Sequence, residues 1–116
     1  MNTKRLFVLL AVVALVAVSL TGCCEAKLGT ENNPIIMQFV PSGDTEEIVA
    51  GGEELAAMIK DKTGLVVQAN VGTDYAAVRE AMGTGKVHIG WLNTFNYVLA
   101  AEKYGVDAAL VTVRYG

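Results

Sequence analysis

Cysteine is almost absent. Cys23 and Cys24 are the only two, and they are adjacent. Adjacent cysteines rarely bridge each other and no third exists, so a disulfide framework is excluded. His88 is the only histidine. A zinc knuckle therefore lacks its four ligands, and no Cys/His nucleophile pair is recognisable, both cysteines lying at the end of the N-terminal apolar block. There is no Gly-x-Ser-x-Gly elbow and no phosphate-cradling P-loop. Positive charge is short too: 9 Lys and Arg stand against 12 Asp and Glu, a net charge of −3. That balance argues against a nucleic-acid partner. No run is long enough for an ordinary spanning helix, which needs about 20 apolar residues. Internal repeats, low-complexity tracts and heptads are missing as well. With 116 residues, at most one small domain fits.

What is present begins at the N-terminus. Met1–Arg5 is short and basic, and Leu6–Leu20 follows as 15 uncharged residues with only Ser19 polar. This is the layout of a secretory signal. It ends Leu20-Thr21-Gly22-Cys23, which resembles the bacterial lipobox. The resemblance implies cleavage before Cys23 and a diacylglycerol on its sulfur. Each buried methylene of such chains contributes about 0.8 kcal/mol, so several chains anchor firmly. Cys24 then reads as a bystander. Loss of residues 1–22 leaves 94, with 7 basic against 12 acidic residues and a charge of about −5. The expected organisation is a lipoprotein signal over 1–22, a flexible lipid-anchored tether over 23–33 and an α/β segment over 34–116.

The segment alternates apolar runs with helical stretches. Ile35–Val40 is a near-continuous apolar run, as in a strand covered on both faces. Pro41-Ser42-Gly43 breaks it, and Asp44 or Thr45 caps a helix ending near Gly64. Gly51-Gly52 inside that helix predicts either a break or a close contact. Leu65–Ala69 reads as a second strand, Asn70–Gly72 as its turn, and Thr73 as the cap of a helix through Met82. Val87–Trp91 reads as a third strand. Asn93 or Thr94 opens a helix that stops at Gly105, and Ala108–Val113 reads as a fourth strand. Strands alternating with helices predict βαβ units: an α/β fold with a parallel-type sheet and flanking helices.

In a parallel sheet every strand-to-helix turn lies on the carboxyl edge, where ligands bind at the reversal of strand order. Three small, polar turns thus converge. Each presents free N–H groups of a helix start, which favour anions. Ser42, Thr73, Thr94 and Asn96 add neutral donors, and Tyr75 and Tyr97 stand ready to wall the site. The pattern fits a small oxyanion held by neutral donors, but on the residues alone it fits ordinary caps and turns better.

Three landmarks shift that balance. They are Phe39-Val40-Pro41-Ser42, Gly72-Thr73-Asp74-Tyr75-Ala76-Ala77-Val78, and Gly85–Leu92 running to Tyr97–Ala100. Together with the lipobox they resemble the phosphate/phosphite/phosphonate-binding lipoproteins of bacterial ABC importers, of the type II periplasmic-binding-protein fold. The resemblance spans about residues 34–116. It implies an extracytoplasmic protein that is no enzyme and needs no cofactor or metal. Its implied partners are a small oxyanion, the ABC permease subunits and the membrane that holds its diacylglycerol. Carried over by position, the ligand contacts fall at Ser42, Thr73, Tyr75, Asn93, Thr94 and Asn96. Two positions depart from the pattern. The third turn often reads Gly-Pro with Ser or Thr before the tyrosine, and here it is Asn93-Thr94-Phe95-Asn96. His88 stands where the strand often carries aspartate, and reads as structural. Family members are also roughly twice as long or more, so the chain reads as the first half-lobe, and as a truncated frame or fragment. Two readings compete: a flavodoxin-like enzyme using the same edge, and a structural or sensory lipoprotein without transport activity.

Overall fold

The computed structural model describes residues 26–113. The signal, Cys23 and Cys24, and Arg114–Gly116 lie outside the described residues. Within them the chain runs β1 (Ile35–Phe39), α1 (Thr45–Thr63), β2 (Val67–Val71), α2 (Tyr75–Gly83), β3 (Ile89–Trp91) and α3 (Thr94–Tyr104). The three strands form one parallel sheet in the order β2-β1-β3. This is the α/β architecture that the alternation predicts.

The period-two alternation of a strand decides what each face meets. Met37 and Phe39 share a face, in register with Ala69 and Val71 on β2 and with Ile89 and Trp91 on β3. α1 covers that face. Its buried stripe is Gly52 and Ala56, with Ile48, Leu55 and Ile59 half-buried alongside at helical spacing. The opposite face carries Gln38, Asn70 and Gly90. α2 covers it through Val78, beside Gly72, and Met82, beside Gly90. α3 packs on α2, with the Tyr104 ring over Gly83. The core is Met37, Val40, Ala56, Val78, Val87 and Ala100, of which Met37 and Val78 are the largest fully buried side chains. Each is worth about 1.5–3 kcal/mol of burial.

The Gly51-Gly52 pair does not break α1, which is continuous. A Cβ on Gly52 would stand 2.8 Å from the Phe39 ring and 3.0 Å from Ala69 Cβ, whereas one on Gly51 would meet nothing within 4 Å. Gly52 is therefore the close contact between helix and sheet.

Several expectations are corrected. β2 starts two residues late, because the Val66 N–H donates to Gly29 O and its carbonyl accepts from Ile35 N. Those bonds also hold the end of the stretch read as a tether. From Gly29 onward it is a turn closed by Gly29 and Thr30 N–H groups on Asn33 O and docked on Val66. The cap of α2 is Asp74, not Thr73: Asp74 Oδ1 accepts from Ala77 N at 2.8 Å. Val87 and His88 precede β3 rather than belonging to it. His88 still acts structurally, donating its N–H to Ile36 O and accepting from Ile36 N at Nδ1, both at 2.9 Å. Ala108–Val113 forms no strand. It runs exposed, with Leu110, Val111 and Val113 among the most exposed apolar side chains. Strand composition gives no ladder without a neighbouring edge to bond.

Candidate functional site

The order β2-β1-β3 fixes where a ligand would lie. From β1 the chain leaves over one face through α1, and from β3 it leaves over the other through α3. The winding direction thus reverses between these neighbouring strands, which opens a crevice at their carboxyl ends. The turns after β1 and β3 flank it, and the turn after β2 lies on the same edge.

Each turn is built by a cap. Asp44 accepts from Glu46 N at 2.9 Å and from Glu47 N at 3.1 Å. Asp74 accepts from Ala77 N. Asn93 Oδ1 accepts from Asn96 N at 3.0 Å and from Asn96 Nδ2 at 2.7 Å. The three starts differ in charge. α1 carries Asp44, Glu46 and Glu47, and α2 carries Asp74. α3 has a neutral cap and no acidic residue in its first turn. Only at α3 is the positive end of the helix dipole left without a carboxylate beside it.

The expected contacts fall as follows. Ser42 is exposed in the first turn, its N–H donating to Val40 O at 2.8 Å. Thr73 is exposed just ahead of the α2 cap, and Tyr75 is half-buried as the first residue of α2. Asn93 and Thr94 are exposed as cap and first residue of α3. Asn96 differs from the rest: it is 5% exposed and both ends of its amide are bonded. Its side chain organises the turn from behind.

Two features carried no sequence signal. Arg79 on α2 donates to Asn96 Oδ1, which ties the second turn to the third. Tyr75 and Arg79 are four residues apart and share a helix face. The other feature is polarity beneath the edge. Gln38 and Asn70 are register neighbours on the α2 side, and their side-chain oxygens are buried without a partner among the described residues. Gln38 sits within an otherwise apolar strand and Asn70 in one whose other polar residue is Gln68, so only tertiary packing gives them meaning. Among the described residues no His, Cys, Asp and Glu gather as metal ligands, and no helix is long and apolar enough to cross a membrane.

Comparison with known proteins accords with this geometry. The Phosphate-import protein PhnD of Mycolicibacterium smegmatis (strain ATCC 700084 / mc(2)155) is 31% identical over 105 residues, 88% of this chain and 32% of that protein. The chain thus spans about a third of the relative's length. The model of one family, described as ABC transporter, phosphonate, periplasmic substrate-binding protein, matches residues 37–116. That match takes in β1 from Met37 onward, β2, β3, all three helices and every turn of the crevice, and the chain belongs to this family of periplasmic substrate-binding proteins.

Proposed function

We propose that the protein captures a small phosphorus oxyanion (phosphate, phosphite or a phosphonate) outside the cytoplasm and delivers it to the permease of an ABC importer. The observation that carries this is the α3 start. It is a neutral, Asn-capped helix N-terminus at the reversal of strand order, in a chain of the phosphonate-binding family. Ser42, Thr73, Tyr75, Asn93 and Thr94 are the contacts that reach the ligand, and Asn96 holds the turn. Binding of this kind needs no catalytic group and no cofactor. Residues 1–22 act as a lipoprotein signal, Cys23 carries the diacylglycerol, and residues 34–116 belong to the first ligand-binding lobe.

Calorimetric titration of the protein with phosphate, phosphite, methylphosphonate and sulfate tests the ligand. One phosphorus oxyanion should bind more tightly than sulfate, and failure of all three to bind would sink the reading. The anchor is tested by intact mass from a detergent extract. A chain starting at Cys23 with added lipid is expected, and Cys23→Ala should release the protein from the membrane fraction.

A further inference from the structure

The side chains of Arg79, Asn96 and Asn93 form a one-way chain of donors. A guanidinium can only donate. Arg79 Nη1 donates to Asn96 Oδ1, so the carbonyl end of that amide faces α2. Asn96 Nδ2 must then face away, and it donates to Asn93 Oδ1 at 2.7 Å. The backbone N–H of Asn96 donates to the same oxygen at 3.0 Å. Both acceptances fix the Asn93 amide with its oxygen inward. Its Nδ2 is left on an exposed residue, with no acceptor among the described residues. The bond from Arg79 also brings a cation against the one helix start without a carboxylate.

We infer that Arg79 is a positioning residue for the anion site: acting through Asn96, it holds the Asn93 Nδ2 hydrogens toward the carboxyl-edge crevice and sets their strength as donors to an oxyanion. The inference rests on the oxyanion reading above and names a residue that reading lacks. Arg79 is five residues beyond the α2 cap, and its guanidinium is directed at Asn96, 17 positions away on α3, rather than at the ligand. Its effect is transmitted by hydrogen-bond polarity and by charge. Each bond in the chain polarises the next, and a cation at its head makes the terminal N–H a stronger donor.

The test uses inorganic phosphate as probe and the full chain in detergent micelles. Four variants are compared with wild type: Arg79→Met, Arg79→Lys, Asn93→Ser and the Arg79→Met/Asn93→Ser double variant. Serine keeps a cap for α3 but removes the amide donor. Arg79→Met and Asn93→Ser should each weaken phosphate binding by about ten-fold, the scale of one lost charge-assisted hydrogen bond. The double variant should be little weaker than either single one, because both break the same chain. Arg79→Lys, which keeps a charge and a donor, should recover part of the loss. The Asn93 side-chain amide resonances should shift in Arg79→Met even without phosphate. An Arg79→Met protein binding within two-fold of wild type would overturn the inference and leave the oxyanion reading standing. So would losses that simply multiply in the double variant, or an Arg79→Lys protein as weak as Arg79→Met with unshifted Asn93 resonances, which marks a packing role. Wild type that binds none of phosphate, phosphite and methylphosphonate would remove both readings together.

Discussion

Phe39 and Trp91 stack across the seam between β1 and β3, with ring centroids 5.5 Å apart and planes 10° from parallel. They are register partners at the carboxyl ends of their strands, directly before the first and third turns. The stack therefore joins the two strands between which the winding reverses, and it sets the spacing of the turns that flank the crevice. An aromatic pair of this kind adds about 0.5–1.5 kcal/mol to the burial of its surface. Trp91 brings a cost with it, because its indole Nε1 is buried without a partner among the described residues. Trp91→Phe keeps a stacking ring and removes the unsatisfied donor, while Trp91→Ala removes the ring and leaves a cavity. Urea denaturation followed by circular dichroism should place Trp91→Phe within about 1 kcal/mol of wild type and Trp91→Ala lower by about 2–4 kcal/mol. Equal losses in the two variants would show that the stack is not what holds the seam.

The two central glycines of α1 should respond oppositely to alanine. Gly51 is exposed and faces open space, so Gly51→Ala gains helix propensity and restricts the unfolded chain, a stabilisation of up to about 1 kcal/mol. Gly52 is buried against Phe39 and Ala69, and a methyl group there forces α1 off the sheet. Gly52→Ala should lose about 1–3 kcal/mol by overpacking. Thermal melting of the two variants side by side reads both signs. A stabilised Gly52→Ala protein would contradict the close approach of helix and sheet.

The three strand-turn-helix units were legible because their signals are local. Apolar runs of strand length end at Pro41-Ser42-Gly43, Gly72 and Asn93, and αL glycines at Gly64 and Gly105 close two of the helices. What sequence could not resolve depended on contacts between elements. Thr73 and Asp74 are both good caps. The choice of Asp74 goes with the close packing of Gly72 under Val78, on which the second turn rests. Whether Gly51-Gly52 meant a break or a contact depended on where Phe39 lay. In the site, the exposed donors of the turns were readable as types. The role of Asn96 as a buried organiser was not, because it is defined by Arg79, 17 positions away on another helix. Ala108–Val113 shows the converse limit: it has the composition of a strand but no ladder bond to make it one.

A second helix-to-helix tie predicts a pH dependence. Glu80 on α2 accepts from Tyr104 Oη at 2.5 Å and from Lys103 Nζ at 2.9 Å, both on α3, and the Lys103 ammonium lies 4.8 Å from the Tyr104 ring centre. The Tyr104 hydroxyl first, and then Lys103, hold the Glu80 carboxyl below its usual range. Tyr104 first, and then Glu80, push the Lys103 ammonium up. A lowered carboxylate stabilises the fold above its unfolded pKa and loses that contribution as pH falls through the folded value. A raised ammonium stabilises below its unfolded pKa and loses it as pH rises through the folded one. The tie is thus fully present between the ordinary values of 4.5 and 10.5. The groups are exposed and screened, so the effect on melting is small. It should appear as a slope in the melting temperature below pH 4.5 that Glu80→Gln flattens. An unchanged acid slope in that variant would show that other carboxylates set the acid limit.

Asn93→Asp is the sharpest single test of the anion site, because fold and binding part company there. Aspartate is as good a cap as asparagine, and its Oδ1 accepts from the Asn96 N–H and Nδ2 in the same geometry. A negative charge at a helix N-terminus is itself stabilising by about 0.3–1 kcal/mol. The melting temperature should therefore hold or rise slightly. The second oxygen, however, replaces the Nδ2 donor with an anionic acceptor at the one helix start that is otherwise free of carboxylates. An oxyanion would then meet repulsion where it had a hydrogen bond. Leaving one such group unpaired costs about 1–3 kcal/mol, more with like charges, so phosphate affinity should fall by about 100-fold or more. Calorimetry and melting on the same sample separate the two effects. Retained binding in a stable Asn93→Asp protein would move the oxyanion away from α3, to the turns of Ser42 and Thr73.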